Sequence, residues 1–292
     1  MTSLSVMGVG KIGGEVAYLA SVLGGIADDI CLYDIDATLS RAQALDILHT
    51  GIDLSVSTDP GDISRADIAV FSAGRARTPD IKTRADLLSV NLPAVDECAG
   101  FLEGYAGVLI TITNPMDANN YFLHRRCHIP RERCVGFGGG QLDAARFGGY
   151  LKESGIPGDA WVLGEHGEHQ VPLFSSLPED VPESVRNEIL GKMRRSSMEV
   201  IRGGKGGTVF GPAWHIVNLI RNVAEDSHAV LPVSCVLNGE YGVTGCSLGG
   251  VPARIGRSGI EEIIEWNLDT WEEARFREAA VASSALCRRA DE

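Results

Sequence analysis

The sequence predicts an α/β fold, a doubly wound parallel sheet in the first half followed by a mixed α/β (α+β) half. Two observations carry this. Short apolar runs alternate with helical patterns from Leu4 to Thr113, the mark of βαβ units with helices on both sheet faces. After Pro115 the alternation gives way to long helices with short strands between them. No low-complexity linker or repeat separates the halves, so they are expected to pack together around a cleft. The boundary is placed near residue 138, giving domains 1–137 and 138–292.

Leu4 to Val9 is an apolar run ending in glycines and reads as a buried strand. A helix follows from Lys11 to about Leu23, with Ile12, Val16, Leu19 and Ala20 on one face. Asp29 to Tyr33 is the second strand and ends at Asp34. Next come a helix (Leu39 to Leu48), strands at Leu54 to Ser57 and Ile68 to Ala73, a helix from Arg84 to Phe101, and a strand at Val108 to Thr113. Beyond Pro115 the pattern gives a helix around Asp117 to Arg126 and a strand near Cys134 to Phe137, then a glycine run at Gly138 to Gly140. Long helices are expected at about Pro182 to Arg202, Pro212 to Ala224 and Thr270 to Arg288. Val243 to Leu248 and Val251 to Gly256, joined across Gly249-Gly250, read as a hairpin.

A formal net charge of -13 argues against nucleic acid or an anionic membrane surface as partner. An anionic substrate stays admissible, because arginines in a cleft outweigh a distant, screened field. The seven cysteines (Cys31, Cys98, Cys127, Cys134, Cys235, Cys246 and Cys287) are scattered, and none is at CxxC spacing. Neither a metal site nor a disulfide framework is indicated, and reduced intracellular thiols are the economical reading. There is no signal-peptide pattern and no membrane-length apolar run, so a soluble cytoplasmic protein is expected.

Gly8-Val9-Gly10-Lys11-Ile12-Gly13 is a GxGxxG pattern that follows a strand and opens a helix. Alone it is weak. With Asp34 at the end of the next strand, about 20 residues on, it is the full Rossmann-type dinucleotide fingerprint. The glycines allow a tight turn and close approach of a pyrophosphate, which the helix N-terminus meets with its N–H groups. Asp34 can accept from both ribose hydroxyls and would repel a 2′-phosphate, so NAD is favoured over NADP. Lys11, inside the turn, reads as solvated. Asn114, in Thr113-Asn114-Pro115, falls beyond a strand's carboxyl end, where open α/β sheets bind ligands.

Asp143 and Arg146 are three apart in a helical segment and can face one pocket, while His166 lies in a Gly164-Glu165-His166-Gly167 turn. A carboxylate, an arginine fork and a histidine suit proton transfer beside a bound carboxylate. Separately, each is as well read as a surface pair or a turn residue; the fingerprint upstream tips the balance.

With these motifs in one order, the chain resembles the L-lactate/malate dehydrogenase family over nearly its whole length. Lys205-Gly206-Gly207-Thr208 and Gly250-Val251-Pro252-Ala253 extend the resemblance. It implies hydride transfer between NAD and a 2-hydroxy acid. By matching position, His166 is the acid/base, Asp143 its partner, Arg146 the C1-carboxylate ligand and Arg84 the group that polarises the ketone. It further implies Gly8, Gly10, Lys11, Ile12, Gly13, Asp34, Ala73, Gly74, Asn91, Thr113 and Asn114 at the cofactor. Arg77, Arg84, Asn114, Arg146 and Thr208 fall at the substrate. Arg77 points to oxaloacetate/malate, since malate enzymes of the family carry an arginine there for the second carboxylate. The stretch from Gly74 to Arg84 is one residue longer than usual, so Arg77, Thr78 or Arg75 can be the residue aimed inward, and another L-2-hydroxy acid (lactate, or a branched, aromatic or specialised acid) stays as the alternative. Gly139-Gly140-Gln141 and Glu168-His169-Gln170 also depart from the commonest family choices. His169 and His215 read as non-catalytic. A metal-dependent glycoside hydrolase on a related fold would need a Cys/His metal site, and a non-catalytic scaffold would not keep the Asp143, Arg146, His166 and Arg84 set. The resemblance also implies a homo-oligomer, tetramer or dimer.

Overall fold

The computed structural model describes residues 2–75, 81, 83–205 and 207–291. Among them, the first half builds β1 (Ser3–Met7), α1 (Lys11–Val22), β2 (Asp29–Tyr33), α2 (Ala37–Leu48), β3 (Ser55–Ser57), β4 (Ile68–Phe71), α3 (Arg84–Leu102), β5 (Val108–Thr111), α4 (Met116–Arg126) and β6 (Cys134–Gly136). The six strands are parallel in the order β3-β2-β1-β4-β5-β6. This is the doubly wound order, with its switch point between β1 and β4, and it agrees with the expected Rossmann-type sheet.

β4 and β5 are continuous apolar runs, and β2 nearly so, because both faces are covered, and Ser5 of β1 is fully buried for the same reason. Val6, Ile30, Val70, Ile110 and Val135 point into the core shared with α1. Their neighbours Met7, Cys31, Phe71, Leu109 and Cys134 point into the opposite core, beneath α3 and α4. Helix starts follow capping chemistry. Asp36 accepts from the Thr38 and Leu39 N–H groups at α2, and Thr83 and Asp86 close a reciprocal capping box that fixes where α3 begins.

The second half contributes α5 (Gly140–Glu153), β7 (Val162–Gly164), β8 (Gln170–Pro172), α6 (Glu183–Val200), α7 (Phe210–Ala224), β9 (Ala229–Asn238), β10 (Thr244–Gly256), β11 (Gly259–Ile263) and α8 (Thr270–Asp291). It does not make a sheet of its own around its long strands. β9 joins the edge of β6 antiparallel, at Gly136 opposite Ser234, and β10 and β11 extend the same sheet to nine strands. β7 and β8 form a separate antiparallel pair whose connection carries Glu165 to His169.

Here one expectation is corrected. Gly249-Gly250 is no hairpin turn: β10 runs straight through it, paired with β9 on both sides, and the register shifts between Leu248 and Val251. The pair of glycines is a bulge. Gly250 has φ of +68°, and a Cβ there would sit 2.0 Å from the Val162 carbonyl oxygen, so glycine serves close approach to β7 rather than chain reversal. Strand β9, ten residues long, was not anticipated. Its Pro232 removes a ladder donor and reads as a strand breaker in sequence. No helix among the described residues is long and apolar enough to cross a membrane.

Candidate active site

The glycine turn between β1 and α1 is packed against the end of β4. A Cβ on Gly8 would fall 2.3 Å from the Ala73 nitrogen, and one on Gly13 would fall 1.9 Å from the Gly8 oxygen. Gly10 caps α1 without a side-chain hydrogen bond, which leaves the helix N–H groups open to an anion. Asp34, at the end of β2, accepts from the Val9 N–H (3.0 Å) and the Asp36 N–H (3.1 Å), so its carboxylate borders the turn. Lys11 is exposed and Ile12 half-buried.

At the ends of β4 and β5, Asn91 acts as a brace. Buried in α3, it accepts from the Arg75 N–H (2.7 Å) and donates to the Asn114 carbonyl (2.8 Å), and the Thr113 hydroxyl donates to the Ala73 carbonyl (2.8 Å). Gly74 packs onto Asn91 and Thr113. The side-chain oxygen of Asn114 is buried and has no partner. An orphaned acceptor beside a glycine cradle and a ribose-range carboxylate fits a dinucleotide, whose nicotinamide end would meet Asn114 and whose adenosine end would meet Asp34.

Across from this edge, α5 presents Asp143 and Arg146 one turn apart, with Nη1 of Arg146 3.0 Å from Asp143 Oδ1. The other carboxylate oxygen lies 2.7 Å from His166 Nδ1. The fold thus brings together three residues separated by up to 23 positions. Burial pushes the Asp143 carboxyl up, but His166, Arg146 and a Gln170 hydrogen bond outweigh it and hold it below the usual range. A carboxylate fixed on Nδ1 turns Nε2 outward, the orientation a proton donor needs. The His166 ring rests on Gly139, where a Cβ would fall 2.0 Å from Nδ1.

Arg84, the first residue of α3, reaches the same turn, paired through Nε with the Glu165 carboxylate and through Nη2 with the His166 carbonyl. A small pocket lies between the halves, lined among others by Arg84, Asn114, Asp117, Glu165 and His166. Thr208 stands half-buried in the segment leading to α7. His215, on α7, lies close enough to Arg146 for burial first and that arginine second to depress its pKa. His169 gives its backbone N–H to Glu165 (3.4 Å). Arg77 lies outside the described residues.

Two pocket carboxyls carried no assigned role in the sequence. Asp117 is buried at the start of α4 and accepts from the Ser234 hydroxyl (2.6 Å), which also meets Ser247 (2.8 Å). Burial pushes its pKa up to about 7 against that hydrogen bond. An acid in a first helical turn reads as a dipole partner, and only the serines from β9 and β10 reveal it as buried. All seven cysteines are free and buried; burial pushes Cys31, Cys98 and Cys127 up to about 12, so these thiols stay protonated.

A histidine braced by a carboxylate, an arginine beside it and a glycine turn at an open helix N-terminus suit a nicotinamide-linked dehydrogenase acting on 2-hydroxy acids. The chain belongs to the lactate/malate dehydrogenase family: the model of that family's NAD binding domain matches residues 2–136, and that of its alpha/beta C-terminal domain matches residues 142–283. It is similar to the malate dehydrogenase of Haloferax volcanii, 37% identical over 298 residues and 96% of each chain. Among solved structures, that of malate dehydrogenase from Archaeoglobus fulgidus in complex with NADH superposes with a TM-score of 0.88, at 30% identity, over 99% of this chain and 100% of that one. The minor L-lactate dehydrogenase from Enterococcus mundtii gives 0.89 at 25% identity, over 99% and 98%.

Proposed function

We propose that the chain is an NAD-dependent malate dehydrogenase, catalysing reversible reduction of oxaloacetate to malate with NADH. The observation that carries the chemistry is the Asp143–His166–Arg146 arrangement, with His166 and Asn114 lining one pocket. When bound, NADH supplies the hydride. Arg146 pairs with the C1 carboxylate and sets the face of the 2-oxo acid, and Arg84 draws electron density onto the ketone oxygen. His166 delivers a proton from Nε2 to that oxygen as it gains charge, with the imidazolium stabilised by Asp143. Asn114 donates or accepts between cofactor ribose and substrate, Thr208 borders the substrate, and Arg77 reads the second carboxylate. The cofactor residues are Gly8, Gly10, Lys11, Ile12, Gly13, Asp34, Ala73, Gly74, Asn91, Thr113 and Asn114. For Asn91 the support is indirect, because its amide is engaged by Arg75 and Asn114 and shapes the cradle from behind.

The division into 1–137 and 138–292 rests on the change of strand direction after β6 and on the two family models, which end and begin at 136 and 142. Homo-oligomer formation, as tetramer or dimer, is supported by large apolar side chains exposed on α1, α2 and α7, among them Tyr18, Leu45, Leu48, Phe210 and Trp214. Cytoplasmic location is supported by the seven unpaired, buried thiols.

The alternative, another L-2-hydroxy acid, is favoured by the extra residue between Gly74 and Arg84. A turnover panel of oxaloacetate, pyruvate and bulkier 2-oxo acids separates the two readings. In Arg77→Gln, kcat/KM for oxaloacetate should fall at least about 30-fold relative to pyruvate, the cost of truncating one partner of a desolvated charge pair. Equal losses on both substrates would remove Arg77 from its role. A wild type that ignores oxaloacetate but reduces a bulkier acid would replace malate with the alternative.

A further inference from the structure

The catalytic turn is shaped on three consecutive residues to receive one guanidinium. Glu165 offers a carboxylate to Nε of Arg84, His166 offers its carbonyl to Nη2, and residue 167 offers an absence of side chain. A Cβ on Gly167 would fall 1.9 Å from Arg84 Nη2, inside the space the guanidinium fills, and 3.0 Å from the Glu165 oxygen. Glu165 is itself fixed. It is 4% exposed, and its second oxygen accepts the His169 N–H at 3.4 Å. From the other side, the Thr83–Asp86 capping box sets the point at which α3, and so Arg84, begins.

We propose that Glu165 is a positioning residue for the reaction, the anionic anchor that seats Arg84 beside His166. The inference rests on the reading of Arg84 as the group that polarises the ketone. An arginine has five N–H donors in a rigid plane. With Nε paired against the Glu165 carboxylate and one N–H of Nη2 given to the His166 carbonyl, the N–H groups of Nη1 remain for the pocket that Arg84 and His166 both line. Holding a long side chain at two points removes rotamer freedom that would otherwise be lost during the reaction. The anchor also answers a local hazard. The Asp117 carboxyl lies in the same pocket and senses the Arg84 charge. Without Glu165, the guanidinium would be free to turn toward Asp117 or toward a substrate carboxylate, and would stop facing the ketone.

The test has one arm that needs no turnover. The NADH-loaded protein is treated with phenylglyoxal, and adducts are followed by peptide mass spectrometry at Arg84 and at Arg65, whose side chain is 75% exposed. In wild type Arg84 should react at least about tenfold more slowly than Arg65, and Glu165→Gln should abolish most of that protection, since the half-buried ion pair is broken. In the turnover arm, Glu165→Gln should lower kcat by about 10²-fold on every accepted 2-oxo acid, with NADH affinity unchanged and Glu165→Asp partly restored. Guanidinium ion should rescue Arg84→Gly while Glu165 is present and fail to rescue the Arg84→Gly/Glu165→Gln double variant. Equal labelling of Arg84 and Arg65 in wild type overturns the seat even if no Glu165 variant folds. So does a Glu165→Gln enzyme that keeps more than half of wild-type kcat, or runs faster, which would make Glu165 a competitor for Arg84. Protection of Arg84 in a wild type that reduces no 2-oxo acid would uphold the seat and overturn the proposed reaction instead.

Discussion

Gly139→Ala puts a single methyl group against the His166 ring. Gly139 has φ of +63° and lies where a Cβ would be 2.0 Å from His166 Nδ1 and 2.5 Å from Cγ. An L-residue in that backbone region costs about 1–2 kcal/mol, a Tm shift of roughly 2–4 °C per kcal/mol for a chain of this size. The larger effect is local. To regain ordinary contact the ring must retreat by about 1.4 Å, the gap between the 2.0 Å approach and a 3.4 Å van der Waals contact. That retreat stretches the 2.7 Å bond from Nδ1 to Asp143 beyond hydrogen-bonding range. Displacements of that order cost about 10²-fold in rate. The nearest atoms to a Cβ on Gly139 all belong to His166, so the glycine turn and Asp34 should be untouched. NADH affinity, read by fluorescence titration, should therefore stay at the wild-type value while kcat for oxaloacetate reduction falls about 10²-fold. A folded Gly139→Ala enzyme within twofold of wild-type kcat would show that the His166–Asp143 contact does not govern the proton transfer.

Two further outcomes follow from charges in the structure. Asp34→Ser should raise the NADPH/NADH ratio of kcat/KM at least about tenfold, since a carboxylate facing a 2′-phosphate costs about 1–4 kcal/mol; a wild type that already uses both cofactors equally removes that role from Asp34. Asp117 binds its proton more tightly when folded, its pKa rising from 3.8 to about 7. The folded state therefore holds more protons than the unfolded one between those values, and stability falls as pH rises through that window. The full cost, on the order of 4 kcal/mol, is reached above the folded pKa. Asp117→Asn, which keeps an acceptor for Ser234, should flatten this slope and raise Tm at pH 8 relative to wild type; denaturation curves of equal pH dependence in the two proteins would refute it.

The parts of the fold legible in sequence were those fixed by local chemistry. The apolar runs of β2, β4 and β5 needed no polar alternation because both faces are buried, and the Gly8–Gly13 turn with Asp34 stood out by its spacing. The Asp143–Arg146 pair followed from helical geometry, although its meeting with His166 belongs to the fold. What stayed hidden depends on partners distant in the chain. Gly249-Gly250 has the composition of a turn, and only the backbone of β7 pressing on it explains the bulge. Pro232 disguised β9, while Ser234 and Ser247, unremarkable in their strands, turn Asp117 into a buried acid. Glu165 sat within the most informative motif, but its partner enters from the start of α3.

The Gly249–Gly250 bulge also bears on how such a site can change over time. A Cβ on Gly249 would fall 2.9 Å from the Gly164 oxygen and 3.0 Å from the Gly138 oxygen, and Gly250 lies as closely on Val162 and Leu163. Main chain rests on main chain at the foot of the turn that holds His166. Its height above the sheet is set without a side chain that could drift in size. Substitution of pocket-lining side chains would leave that height in place, because its foundation is the backbone contact of two glycines rather than any side chain.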